Sequence, residues 1–97
     1  MAGCLPASPR RESVSLREVV ANALELVAAR VATLQVLLEA DRPAPELRVL
    51  GDGPRLEQVL VNLLQNAIDA VAGRAEARVC LRLIESGERV AIEVADS

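Results

Sequence analysis

A chain of 97 residues has room for one domain, and a domain of that size buries only about 60 to 65% of its unfolded surface, so its stability is marginal. The chain is 52% hydrophobic yet has no Phe, Tyr or Trp, so it is globular with a core of Leu, Val, Ile and Ala. A net charge of -3, with dispersed arginines and no ring to stack on a base, argues against nucleic-acid binding. The absence of histidine excludes a Ser-His-Asp triad, histidine-ligated zinc and any imidazole acid or base. Cys4 and Cys80 stand far apart, outside any C-x-x-C spacing, as reduced thiols of a cytosolic protein do. Residues 1–13 lack the apolar run of a signal peptide, and no stretch approaches the roughly 20 apolar residues that span a bilayer. The expectation is a cytoplasmic chain with no membrane segment.

Residues 1–13 read as a flexible tail. Ser15-Leu16-Arg17-Glu18 is a capping box, in which the serine hydroxyl accepts an orphan amide and Glu18 suits the positive end of the helix dipole. Leu16, Val20, Ala23, Leu24, Val27, Val31 and Leu34 then recur at three and four, which predicts a core-packing helix to about Thr33. Residues 35–40 are short, apolar and β-prone; Asp41-Arg42-Pro43-Ala44-Pro45 interrupts them, and residues 47–50 resume an extended run. Gly51-Asp52-Gly53-Pro54 turns the chain into a second helix, with Asp52 or Gly53 as cap and Pro54 at its first position. That helix runs to about Ala72, where Gly73 stops it. Residues 77–84 and 89–95 alternate, with Val79, Leu81 and Leu83 on one face of the first strand and Val90, Ile92 and Val94 on one face of the second. Glu85-Ser86-Gly87-Glu88 is the hairpin turn between them. The order helix, strand, strand, helix, strand, strand suits a two-layer α/β sandwich with the helices on one face of a mixed sheet.

The second helix carries the chemistry: Leu56-Glu57-Gln58-Val59-Leu60-Val61-Asn62-Leu63-Leu64-Gln65-Asn66-Ala67-Ile68-Asp69-Ala70. At roughly 100° per residue, Gln58, Asn62, Gln65, Asn66 and Asp69 share one stripe, opposite Leu56, Leu60, Leu63, Leu64, Ala67 and Val71. Asparagine is a poor helix former, and a merely solvated face would more usually carry Glu, Lys and Arg in i,i+4 pairs. A stripe of neutral amides presents oxygens to a ligand, although an ordinary exposed face is the plainer alternative.

This run resembles the N box of the GHKL ATPase superfamily, and most closely that of the ATP-binding domain of sensor histidine kinases, where E-Q-V-L-x-N-L-x-x-N-A-x-D-A recurs. The resemblance extends upstream through the first helix and two strands, and downstream to Val94-Ala95-Asp96-Ser97, which is similar to the start of the family's D-x-G-x-G motif. It implies that residues 14–97 are a partial kinase ATP-binding domain with an incomplete GHKL, or Bergerat-type, fold. The glycine turn, the lid over the phosphates and the closing strands would lie beyond Ser97.

The same resemblance implies ATP and Mg²⁺ as ligands. Asn66 would be the metal residue, an oxygen donor of the kind that hard cation takes alongside phosphate oxygens and water. Asn62 stands where hydrolytic relatives carry a glutamate that activates water; an amide cannot take a proton, so the catalytic preference is phosphoryl transfer to a protein. Asp69 stands near the phosphates, where many of these kinases place a lysine. Its charge would repel a triphosphate unless the metal or a basic group intervenes, so a structural role is as open as contact. Asp96 would accept a hydrogen bond from the adenine amino group. The implied partners are a dimerisation domain bearing the phosphoacceptor histidine and a response regulator, in a parent of a kind often anchored in the membrane. Lacking acceptor, glycine loops and lid, the chain alone is expected to bind Mg-ATP weakly or not at all, and to self-associate through the edge of its last strand. A non-catalytic interaction module that keeps the helix and sheet surface is the alternative reading.

Overall fold

The computed structural model describes residues 12–96, so most of the expected tail, along with Cys4 and Ser97, lies outside the described residues. The elements run β1 (Glu12–Ser15), α1 (Leu16–Thr33), β2 (Leu37–Ala40), β3 (Arg48–Gly51), α2 (Gly53–Val71), β4 (Arg78–Ser86) and β5 (Arg89–Asp96). Local signals in the sequence set the ends of both helices. The Ser15 hydroxyl accepts from the Glu18 amide at 3.4 Å, and the Asp52 carboxylate accepts from the Arg55 amide at 3.3 Å. α2 ends at Val71 with Ala72 as its C-cap, after which Gly73 takes φ +88°, a left-handed position that a Cβ would disfavour by roughly 1–2 kcal/mol.

α1 ends differently. Val36 N-H donates to Val31 O at 3.0 Å and Gln35 N-H to Ala32 O at 3.3 Å, the two bonds of a Schellman cap. Gln35 sits at its left-handed position with φ 54°. This is why β2 begins at Leu37 and not at residue 35: Gln35 and Val36 close the helix before the chain extends. Buried Val36 secures the cap by joining the core.

The strands form two sheets, one of order β1-β3 and one of order β2-β4-β5. The three-stranded sheet is mixed: β2 runs parallel to β4 with Leu37 opposite Arg78, and β4 runs antiparallel to β5 with Ser86 opposite Arg89. Gly87, at φ +61°, is the first of the two linking residues, where a II′-type hairpin places glycine. β2 and β3 therefore do not share a sheet, although the sequence reads them as two strands joined by a loop. The prolines at 43 and 45 deny that loop the amides of a hairpin, and β3 pairs instead with β1, which takes in Glu12 and Ser13 from the expected tail. Arg48 strengthens this small sheet by donating to Ser13 Oγ at 2.7 Å and Ser13 O at 3.0 Å.

One apolar core lies between the helices and the larger sheet. Leu60, Leu64, Ile68 and Val71 of α2, Val20, Ala23 and Val27 of α1, and Val79 and Leu81 of β4 are buried in it. Two core members, Val19 and Ile68, fall outside the faces named from the sequence, and Leu63, placed on the apolar face there, is 43% exposed. The reason is that the two helices pack on each other, and α2 also on the sheet, which widens and rotates their buried faces.

β5 pairs only with β4 among the described residues, so its other edge is an open row of backbone donors and acceptors beside the half-buried Val90, Ile92 and Val94. Open edges recruit other strands. Light scattering on the purified 97-residue chain should show an average mass that rises with concentration. A clean monomer that unfolds cooperatively would mean that the edge is closed.

Candidate functional site

The polar stripe of α2 faces away from this core. Gln58, Asn62, Asn66 and Asp69 are exposed and Gln65 is half-buried, while Leu60, Leu64, Ala67 and Val71 anchor the opposite face. Its geometry is thus fixed by apolar packing and leaves the amides free for other partners. Two polar contacts tie α2 to α1: Asn22 Nδ2 donates to Glu57 Oε2 at 3.1 Å, and Arg30 Nη2 donates to Asp69 Oδ1. Both partners advance together along the two helices, which therefore run in the same sense. By the helical period, the opposite flank of the stripe carries Val59 and Leu63, exposed by 57% and 43%.

Each residue singled out from the sequence has a definite setting. Asn62 accepts a 3.2 Å hydrogen bond from Gln58 Nε2, one turn earlier, so its carboxamide is oriented along the stripe. Asn66, one turn further, makes no side-chain hydrogen bond among the described residues, and its oxygen faces solvent. Asp69 is in an ion pair with Arg30, both side chains about half exposed. Asp96 ends β5 opposite Val79, exposed and without a hydrogen bond or ion pair among the described residues. The short 72–77 link leads from the end of α2 to the start of β4, so Asp96 stands at the end of the sheet that adjoins the C-terminal end of α2. Asn62, Asn66 and Asp69 share one surface; no side-chain hydrogen bond or ion pair joins Asp96 to them among the described residues. Two clefts among the described residues lie elsewhere, one of about 510 Å³ at Gln35, Leu37 and residues 75–78 and one of about 660 Å³ between β3 and the β4–β5 hairpin.

The donor set suits a hard cation held mainly by its ligand. No group of three or more acidic or cysteine side chains that could hold a metal occurs among the described residues. A free carboxamide oxygen such as that of Asn66 is a single hard donor, which fits Mg²⁺ brought in on phosphate oxygens and does not fit a protein-only metal cage. Sequence reasoning missed Arg30. A basic residue in the last turn of α1 has a sufficient explanation in the helix dipole, and its partner lies 39 residues away.

No protein-family model matches the chain. It is 39% identical over 83 residues to the C4-dicarboxylate transport sensor protein DctB of Rhizobium meliloti, a match covering 86% of this chain and 13% of that protein. It is 36% identical over 92 residues to the sensor histidine kinase ZraS of Klebsiella oxytoca, covering 95% of this chain and 20% of that one. Among solved structures, the catalytic domain of the histidine kinase ThkA superposes with a TM-score of 0.77 at 26% identity, over 91% of this chain and 59% of that one. ThkA in complex with the response regulator TrrA gives a TM-score of 0.79 over 90% of this chain and 25% of that one; at 24% identity this likeness speaks for the fold alone. The chain spans about a fifth or less of the length of these curated relatives. With sequence relatives and fold in agreement, the chain belongs to the sensor histidine kinases and corresponds to part of their catalytic, ATP-binding domain.

Proposed function

We propose that the α2 stripe is the metal and phosphate side of a Mg-ATP site, and that the chain serves a kinase that passes the γ-phosphoryl group of ATP to a histidine on a separate dimerisation domain and then to a response regulator. The observation that carries this reading is the pair Asn62 and Asn66, one turn apart on the exposed face of α2, with the Asn66 oxygen left without a partner among the described residues. A Mg²⁺ ion held there would supply positive charge against the phosphate groups. Asn66 would hold that ion through its oxygen, and Gln58 orients the amide of Asn62 one turn earlier. With an amide and no carboxylate at position 62, the chain has no base there to activate water, which favours transfer over hydrolysis. Asp96 is the proposed adenine anchor, and Asp69 acts at the phosphate end. No helix among the described residues is long and apolar enough to cross a membrane, in keeping with a cytoplasmic position for this part of the kinase.

A thermal-shift titration with Mg-ATP tests the reading. The 97-residue chain should respond only weakly to millimolar nucleotide, because glycine loops and lid supply the phosphate-facing backbone amides in kinases of this family. The chain continued through the rest of a kinase catalytic domain should respond strongly, by about 2.7 kcal/mol at a ligand concentration 100 times Kd. No response from the continued chain would overturn the proposal.

A further inference from the structure

Asp69 poses a charge problem for the proposed site. It lies three residues after Asn66, so on the helix surface the two are neighbours, with Cβ atoms about 5–6 Å apart. An exposed carboxylate at that point would oppose a triphosphate. The fold supplies the answer from α1, where Arg30 reaches across and donates Nη2 to Asp69 Oδ1.

The pair differs from an ordinary surface ion pair in two respects. First, it joins two helices whose relative position the core already fixes, so little freedom is lost in forming it. Second, it uses a small part of what the guanidinium offers: Arg30 has five N-H donors in a planar fork, and among the described residues its side chain bonds only Asp69. Asp69 therefore holds the fork at the edge of the amide stripe with donors to spare. Arg55, at the opposite end of α2, is exposed and is held by no carboxylate among the described residues.

Resting on the Mg-ATP reading above, we propose that Arg30 is a phosphate-binding residue of the site. It cancels the charge of Asp69 and presents its remaining N-H groups to phosphate oxygens beside Asn66, while Asp69 positions it. A guanidinium binds phosphate oxygens through paired donors, a geometry that an amide or an ammonium does not reproduce. α1, which reads from its sequence as a core helix alone, thereby contributes to the site.

The two halves of the pair have opposite expected effects, and that opposition is the test. The ¹⁵N-labelled chain, continued through the rest of a kinase catalytic domain, is titrated with Mg-tripolyphosphate, Mg-ATP and adenosine, following the Nε-H signals of the arginines and the side-chain amides of Asn62 and Asn66. Arg30→Gln leaves Asp69 uncompensated and should weaken Mg-tripolyphosphate binding by about tenfold or more, as loss of a charge-assisted hydrogen bond does. Asp69→Asn removes the repulsion but keeps a side-chain oxygen that can accept from Arg30 and hold it in place, so binding should hold or tighten. Arg30→Lys should recover part of the loss, and adenosine should bind all variants alike.

If Arg30→Gln binds Mg-tripolyphosphate as the unaltered chain does, or if both single variants weaken it equally in step with a lower melting temperature, the pair is a clasp between helices and the proposal falls. Asn66→Ala separates this from the parent reading. Binding lost in Asn66→Ala but kept in Arg30→Gln refutes Arg30 alone, whereas no binding by the unaltered continued chain refutes both.

Discussion

Asn66→Ala, made in the chain continued through the rest of a kinase catalytic domain, should abolish the Mg²⁺ dependence of ATP binding. The Asn66 oxygen has no partner among the described residues, so its removal breaks no hydrogen bond of the fold. Alanine is also the better helix former, so the variant should be as stable as the original or slightly more so. Affinity measured with Mg-ATP should then fall toward the value for metal-free ATP, a loss of at least the 10–100-fold typical of weakened metal sites. Isothermal titration with and without EDTA reads this directly. A variant that keeps its response to Mg²⁺ would show Asn66 to be a surface residue, and the metal would have to be held by phosphate and water alone.

Asp96→Asn in the same continued chain should weaken ATP binding by about 1.5–3 kcal/mol, or roughly 10- to 150-fold, the range for a charge-assisted hydrogen bond. Asparagine keeps the size of the side chain but removes the charge, and it offers a donor where the adenine amino group already presents one. Asp96 is exposed at the end of β5 and without an ion pair among the described residues, so the substitution should leave stability unchanged. GTP, which has a carbonyl in place of that amino group, should lose its disadvantage in the variant. Equal ATP affinity in the two proteins would remove Asp96 from the site.

What the sequence disclosed follows the range of the interactions concerned. Ser15, Asp52 and Gly73 end helices through contacts within a few residues, and Gly87 makes its hairpin the same way, so these features are legible in a window of ten. The amide stripe is legible because its period is that of one helix. The β1–β3 pairing is not, because four-residue strands carry almost no periodic signal and the partner of Glu12 is Gly51. The exposure of Leu63 and the burial of Val19 and Ile68 depend on which side of each helix meets the other, a fact that no single helix encodes. The same holds for Arg30 and Asp69, each unremarkable in its own helix and informative only as a pair.

The parallel pairing of β2 with β4 sets an order of assembly. Leu37 lies opposite Arg78, so 41 positions of chain must be gathered before this ladder can close. The β4–β5 hairpin needs only Gly87 and Glu88 between its strands. Local contacts form early and long loops close late. The hairpin and α2 are therefore the natural nucleus, and β2 joins it afterwards, carrying α1 onto the core. On the ribosome the order of emergence is the reverse: α1 and β2 leave the tunnel first and wait, apolar faces uncovered, until β4 has followed. Arg30 and Asp69 stand 39 positions apart, so their ion pair at the edge of the stripe belongs, like the β2–β4 ladder, to the long-range contacts that close late.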